Sequence, residues 1–146
     1  MFRKNILITG ASSGLGEGMA RAFAAKGSNL ALCARRVENL EAIKADIEKA
    51  HPNVTVLIKA LDVCDYDQVF TVFREFREEL GSLDRVIVNA GMGKGASMGT
   101  GYFHANRRTA ETNFIGAIAQ CEAAMEIFRE QNAGHLVTIS SMSALR

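Results

Sequence analysis

The sequence predicts a doubly wound α/β fold on a parallel sheet. Three observations carry that expectation: five short apolar runs, longer segments of helical period between them, and a glycine-rich turn where the first run meets the first of those segments. The strand candidates are Asn5 to Thr9, Asn29 to Cys33, Val54 to Ile58, Arg85 to Val88 and His135 to Ser140. Each is nearly continuous in apolar character, the pattern of strands covered by helices on both faces.

The intervening segments carry apolar stripes at helical spacing. Leu15, Met19, Ala22 and Phe23 stand at i, i+4, i+7 and i+8, and predict a first helix packed on the sheet. Val37, Leu40, Ile43 and Ile47 predict a second, with Pro52 as a stop just beyond it. Val69, Val72, Phe73, Phe76 and Leu80 predict a third. Between Thr109 and Gln131, Phe114, Ile118, Cys121, Met125 and Phe128 line one face, while Ile115, Ala119 and Ile127 lie off it. That is more apolar surface than one packed side requires. It predicts a second buried face, against a helix of another subunit or against a further part of a larger chain. Glycines 91, 93, 95, 99 and 101 mark a mobile loop after the fourth strand.

Composition bounds the function. At 146 residues, 48% of them apolar, the chain can bury a core without staples and is expected to form one domain over 1–146. Seventeen Lys and Arg against sixteen Asp and Glu leave a net charge of +1, too little basic surplus for a nucleic-acid partner. The apolar runs are short and charge-broken, and Met1 leads directly into the first strand. No signal peptide or membrane span is therefore expected, and a cytoplasmic location follows. Cys33, Cys64 and Cys121 are widely spaced and read as reduced thiols, and the scattered His51, His104 and His135 form no metal-ligand set.

The turn Thr9-Gly10-Ala11-Ser12-Ser13-Gly14-Leu15-Gly16 is the most informative stretch. A diphosphate can sit on a helix N-terminus, where unpaired backbone N–H groups and the positive end of the helix dipole converge, provided side chains do not block it. Gly10 permits the tight turn, Gly14 the approach of the phosphates and Gly16 the contact of helix with strand, while Ser12 and Ser13 offer hydroxyl donors. A strand before the turn, a helix after it and a second strand ending about twenty residues on complete a Rossmann-type context. The triphosphate P-loop is a poorer match, since Lys94 is followed by Gly95 rather than Ser or Thr.

The second strand ends in Leu32-Cys33-Ala34-Arg35-Arg36, with no carboxylate to accept hydrogen bonds from a free adenosine ribose. Arg35 and Arg36 instead stand where a 2′-phosphate would arrive, and guanidinium groups hold phosphate through paired charge-assisted bonds. NADP(H) is the cofactor these residues favour over NAD(H).

Taken together, these residues resemble the short-chain dehydrogenase/reductase family, whose Thr-Gly-x-x-x-Gly-x-Gly pattern matches Thr9 to Gly16 in full. The resemblance runs along the whole chain. It implies a strand order of 3-2-1-4-5, adenine contacts from Asp62 and Val63, and a structural turn at Asn89-Ala90-Gly91, although Val88 replaces the commoner asparagine before it. It further implies that Asn113, in Glu111-Thr112-Asn113, holds a water in a proton relay. Ser141, at the end of the fifth strand, would hydrogen-bond the substrate carbonyl or hydroxyl, with Ser140 and Ser143 as neighbouring alternatives. The cofactor-binding set is thus Gly10, Ser12, Ser13, Gly14, Leu15, Gly16, Arg35, Arg36, Asp62, Val63, Asn89, Ala90 and Gly91, and the catalytic set Ser141 and Asn113.

The family's proton donor is a tyrosine with a lysine four residues later, a dozen residues or more past the serine. Tyr66 and Tyr102 have no lysine at that position, and the chain ends at Arg146. The expectation is a front portion of a longer reductase, incomplete at its C-terminus, lacking the last strands and helices and inactive alone. The complete protein would transfer hydride between NADP(H) and a carbonyl or alcohol substrate, as a homodimer or homotetramer joined through the helix at 109–131. The alternative is a non-catalytic NADP(H)-binding sensor or scaffold.

Overall fold

The computed structural model describes residues 3–93 and 95–141. Lys94 of the glycine loop and Ser143, the neighbour of Ser141, lie outside the described residues. In chain order the elements are β1 (Asn5–Thr9), α1 (Gly14–Ala24), β2 (Asn29–Ala34), α2 (Val37–Ala50), β3 (Val56–Ala60), α3 (Tyr66–Leu80), β4 (Arg85–Val88), α4 (Phe103–Ala110), a π-helical turn (Glu111–Ile115), α5 (Gly116–Gln131) and β5 (Leu136–Thr138). The strands form one parallel sheet in the order β3-β2-β1-β4-β5, the predicted order.

Strand alternation divides the core between the two faces of the sheet. Leu7, Ala31, Cys33, Val86 and Val88 meet the stripe of α3 and the inner side of α5. Ile6, Ile8, Leu30, Leu32 and Ile87 meet α1 and α2. The α3 stripe is buried as predicted at Val69, Val72, Phe73 and Phe76. Asp65 starts that helix by accepting a hydrogen bond from the Gln68 N–H at 3.2 Å, and Gly81 ends it in the left-handed region at φ 80°.

Four expectations are corrected. On α1 Met19 and Phe23 pack against the core as expected, but the most buried side is Gly16, Ala20 and Ala24, with Leu15 61% exposed and Ala22 exposed, because close approach to the sheet selects small residues. β3 begins at Val56 rather than Val54 and runs on to Ala60, since the Val54 N–H is taken by His51 O in the turn leaving α2. β5 is confined to Leu136–Thr138, because β4 offers partners only as far as Val88, which accepts a last bond from the Ile139 N–H.

The fourth correction concerns the segment 109–131, which is α4, a π turn and α5 rather than one continuous α-helix. The face against the sheet is the small-residue side, Gly116, Ala119, Ala123 and Ala124, with Ile127 and Phe128. The large apolar residues Phe114, Ile115, Ile118 and Met125 stand outward, between 38% and 64% exposed. No helix among the described residues is long and apolar enough to cross a membrane.

Candidate functional site

The C-terminal ends of β1 and β4 are fastened by two side chains. Thr9 Oγ1 accepts from the N–H groups of both Asn89 and Ala90 at 3.0 Å, and Asn89 Nδ2 donates to Thr9 O at 2.9 Å and Gly10 O at 3.3 Å. β1 pairs with β2 on one side and β4 on the other, so the crevice beyond its end is the switch point of the sheet. The glycine turn lies directly over this clamp.

Each turn glycine answers a different demand. At Gly10 (φ +64°) a Cβ would sit 2.8 Å from Ala90 Cα, so no side chain fits between turn and clamp. A Cβ on Gly16 would run into Gly10 O and stand 2.7 Å from Asn89 Nδ2. Gly14 is different: its left-handed φ of +58° demands glycine, yet its surroundings are open, leaving bare backbone at the start of α1. Ser13, the residue before that start, is extended and does not cap the helix with its hydroxyl, so the first-turn N–H groups of α1 stay directed outward.

A groove of about 280 Å³ runs along the carboxyl ends of the strands. The turn contributes Gly10, Ser12, Ser13, Leu15 and Gly16, the segment after β2 contributes Arg35 and Arg36, and that after β3 contributes Asp62 and Val63. Asn89, Ala90 and Gly91 close it after β4. Apart from Gly14, every residue expected from the sequence to contact cofactor lines this one groove, and the exposure of Leu15 follows from its place there. Thr112, from the π turn, is a further wall that sequence reasoning missed.

Arg36 reaches the glycine turn itself. Its Nη2 donates to Ser13 Oγ at 2.8 Å and Ser12 Oγ at 3.2 Å, so both hydroxyls act as acceptors toward it and keep their hydrogens for another partner. Asn39 Nδ2 holds the Ser12 carbonyl at 3.2 Å. The Asp62 carboxylate accepts from the Cys64 N–H at 3.0 Å and from Arg108 Nη2 at 2.6 Å. Partial burial works to raise its pKa, but those two bonds and the charges of Arg108 and Arg35 outweigh it and hold the group below the ordinary aspartate value.

Asn113 and Ser141 do not line the groove. Asn113 Oδ1 accepts from the Met92 N–H at 2.8 Å and Nδ2 donates to Met92 O at 2.7 Å, so the side chain pins the loop after Gly91. One lone pair and one N–H are left for any water. Ser141 is exposed and follows β5, on the far side of β4 from β1. Asn106, seven residues before Asn113, holds the same loop further on by accepting from the Ala96 N–H at 2.7 Å. No sequence signal distinguishes Asn106 or Arg108 from ordinary helix-surface residues. Among the described residues, no group of three or more His, Cys, Asp or Glu side chains is placed to hold a metal ion.

The family model for short chain dehydrogenases matches residues 4–146. The chain belongs to that family. Among curated relatives, an uncharacterised oxidoreductase of Mycobacterium tuberculosis (strain H37Rv) is 51% identical over 144 residues, which are 99% of this chain and 57% of the relative. Among solved structures, levodione reductase superposes with a TM-score of 0.91 at 33% identity, over 98% of this chain and 56% of that one. An alcohol dehydrogenase from the archaeon Thermococcus sibiricus, complexed with 5-hydroxy-NADP, superposes with a TM-score of 0.85 at 33% identity, over 94% of this chain and 58% of that one. The chain thus spans a little over half the length of these dehydrogenase/reductase relatives.

Proposed function

We propose that this chain is the cofactor-binding front portion of an NADP(H)-dependent reductase that interconverts a carbonyl and an alcohol. The observation that carries the reading is a groove at the sheet's switch point that brings bare glycine backbone together with Arg35 and Arg36, the latter bonded to the turn's own Ser12 and Ser13. The residues present fit a dinucleotide. The first-turn N–H groups of α1 and the hydroxyls of Ser12 and Ser13 would hold the diphosphate, Arg35 and Arg36 the 2′-phosphate, and Asp62 and Val63 the adenine. When bound, the nicotinamide supplies the hydride.

In the complete protein, Ser141 would hydrogen-bond the substrate oxygen and orient its carbon. Asn113 fixes the loop from Gly91 to Met92 that borders the groove and steadies any water held in a proton relay beside it. The proton donor is proposed to lie past Arg146, as a tyrosine followed by a lysine four residues on. The outward stripe of Phe114, Ile118 and Met125 is proposed as the face through which two copies associate.

The test is nucleotide titration by calorimetry of the complete chain. NADPH is expected to bind more tightly than NADH, and replacing Arg35 and Arg36 together by alanine to cost NADPH about 2 kcal/mol more than it costs NADH, whose smaller loss comes from freeing Ser12 and Ser13 from Arg36. Equal losses for the two would refute the assignment to NADP(H).

A further inference from the structure

One ion pair at the wall of the groove, where Asp62 lines it, is not explained by the handling of phosphate. Arg108 projects from α4 onto Asp62, 46 residues earlier in the chain, with a contact of 2.6 Å between Nη2 and Oδ2. The pair is open to water, its side chains 40% and 37% exposed, and a pair so exposed contributes little to holding a fold together. What it does fix is geometry. Arg108 on Oδ2 and the Cys64 N–H on Oδ1 together set the plane of the carboxylate. Each carboxylate oxygen can accept a second bond, so one acceptor position on each stays available.

The helical edge that carries Arg108 continues along the same wall. Thr112 Oγ1 lies 3.4 Å from Cys64 Sγ, and a Cβ on Gly116 would sit 2.8 Å from Val63 O. Residues 108, 112 and 116 therefore seat α4, the π turn and α5 against Asp62 to Cys64, while Asn106 and Asn113 on another side of the same stretch hold the glycine loop. Arg35 also faces Asp62 electrostatically. With Arg108 on Oδ2 the carboxylate has its cation already, and Arg35 is left for other work.

We propose that Arg108 is a positioning residue for base recognition: it holds the Asp62 carboxylate in the orientation that accepts a hydrogen bond from a 6-amino purine. The inference rests on the dinucleotide reading of the groove. Its chemistry is specific. An exocyclic amine at purine C6 donates to a fixed carboxylate, whereas hypoxanthine presents a carbonyl oxygen there, which the carboxylate repels. A carboxylate free to rotate, or drawn toward Arg35, loses that discrimination without closing the groove.

The test uses the complete chain with NADPH and its deaminated analogue, reduced nicotinamide hypoxanthine dinucleotide phosphate, each titrated by calorimetry. The expected result is wild-type binding about tenfold tighter for NADPH, the scale of one hydrogen bond to a charged group. Arg108→Ala should bring the ratio below about threefold, mainly through weaker NADPH binding, with the analogue changed less than about twofold. Arg108→Lys should restore part of the ratio, and Asp62→Asn combined with Arg108→Ala should discriminate no worse than Asp62→Asn alone. Should Arg108→Ala fail to fold, Arg108→Gln is read in its place. Equal weakening of both nucleotides in Arg108→Ala or Arg108→Gln, or an unchanged ratio there, overturns the proposal, since a purely structural pair would behave so. A wild-type chain that binds both nucleotides equally overturns it while leaving the dinucleotide reading intact; a wild-type chain that binds neither removes both.

Discussion

Replacing Thr9 by valine keeps the shape of a fully buried side chain, favours a strand and adds apolar volume, yet the structure requires it to be costly. The hydroxyl oxygen accepts from two backbone N–H groups, those of Asn89 and Ala90, and donates over 3.5 Å to Ile87 O. Valine offers none of these. Each donor left without a partner costs about 1–3 kcal/mol, and both lie in half-buried residues where water can partly replace the hydroxyl, which places the total at about 2–4 kcal/mol. Thr9→Ser keeps the oxygen and loses one methyl, for about 1 kcal/mol. Urea denaturation of the two variants, compared by their midpoints at equal slope, should rank valine well below serine. A valine variant as stable as the serine variant would show that the clamp between β1 and β4 does not depend on this hydroxyl.

The other expectations concern separate parts of the molecule. Gly16→Ala should cost about 3 kcal/mol and abolish NADPH binding, because its methyl meets the Gly10 carbonyl and α1 must back away from the turn. Gly14→Ala should cost only about 1–2 kcal/mol, for the left-handed backbone alone, as the space around it is open; chemical denaturation separates the two. Because the folded pKa of Asp62 is lowered, its contribution to stability is complete above the ordinary value of 3.8 and is lost as pH falls through the lowered one. The gap in urea midpoint between wild type and Asp62→Asn should therefore shrink on acidification below 3.8, and a gap that widened there would contradict the assigned sign. Phe114→Glu with Ile118→Glu should leave the fold intact and lower the association state seen by sedimentation, since both side chains face outward.

Local patterns were legible wherever chemistry is local. β1 and β4 follow directly from their apolar runs, the glycine turn from its spacing, and the α3 stripe from periodicity alone. Periodicity identified the helical segment after the loop but not which side of it meets the sheet. A helix lying close on a sheet buries its small residues, so the alanines of α5 went inward with Ile127 and Phe128, while Ile118 and Met125 went outward although hydrophobicity weights them more than alanine. The groove residues could be grouped because each follows a strand end, and a parallel sheet brings strand ends together. Arg36 bridging to Ser12 and Ser13, and Arg108 to Asp62, could not, because each pairing joins residues far apart in sequence through surfaces that only the folded chain juxtaposes.

The π turn makes the stretch from 103 to 131 sensitive to chain length in a way its composition does not disclose. A π turn holds one residue more than an α turn, and each residue of an α-helix advances it by roughly 100°. Five residues in the π turn carry the chain through nearly the same angle as four in an α-helix, so deleting one residue between 111 and 115 would let regular α-helix run through with α5 still in register. A deletion inside α5 ahead of Ala123 has no such slack: it would swing Ala123 and Ile127 by roughly 100° off their buried places while Arg108 kept its grip on Asp62. Single deletions should therefore be absorbed in the π turn far more readily than in the α-helix that follows it.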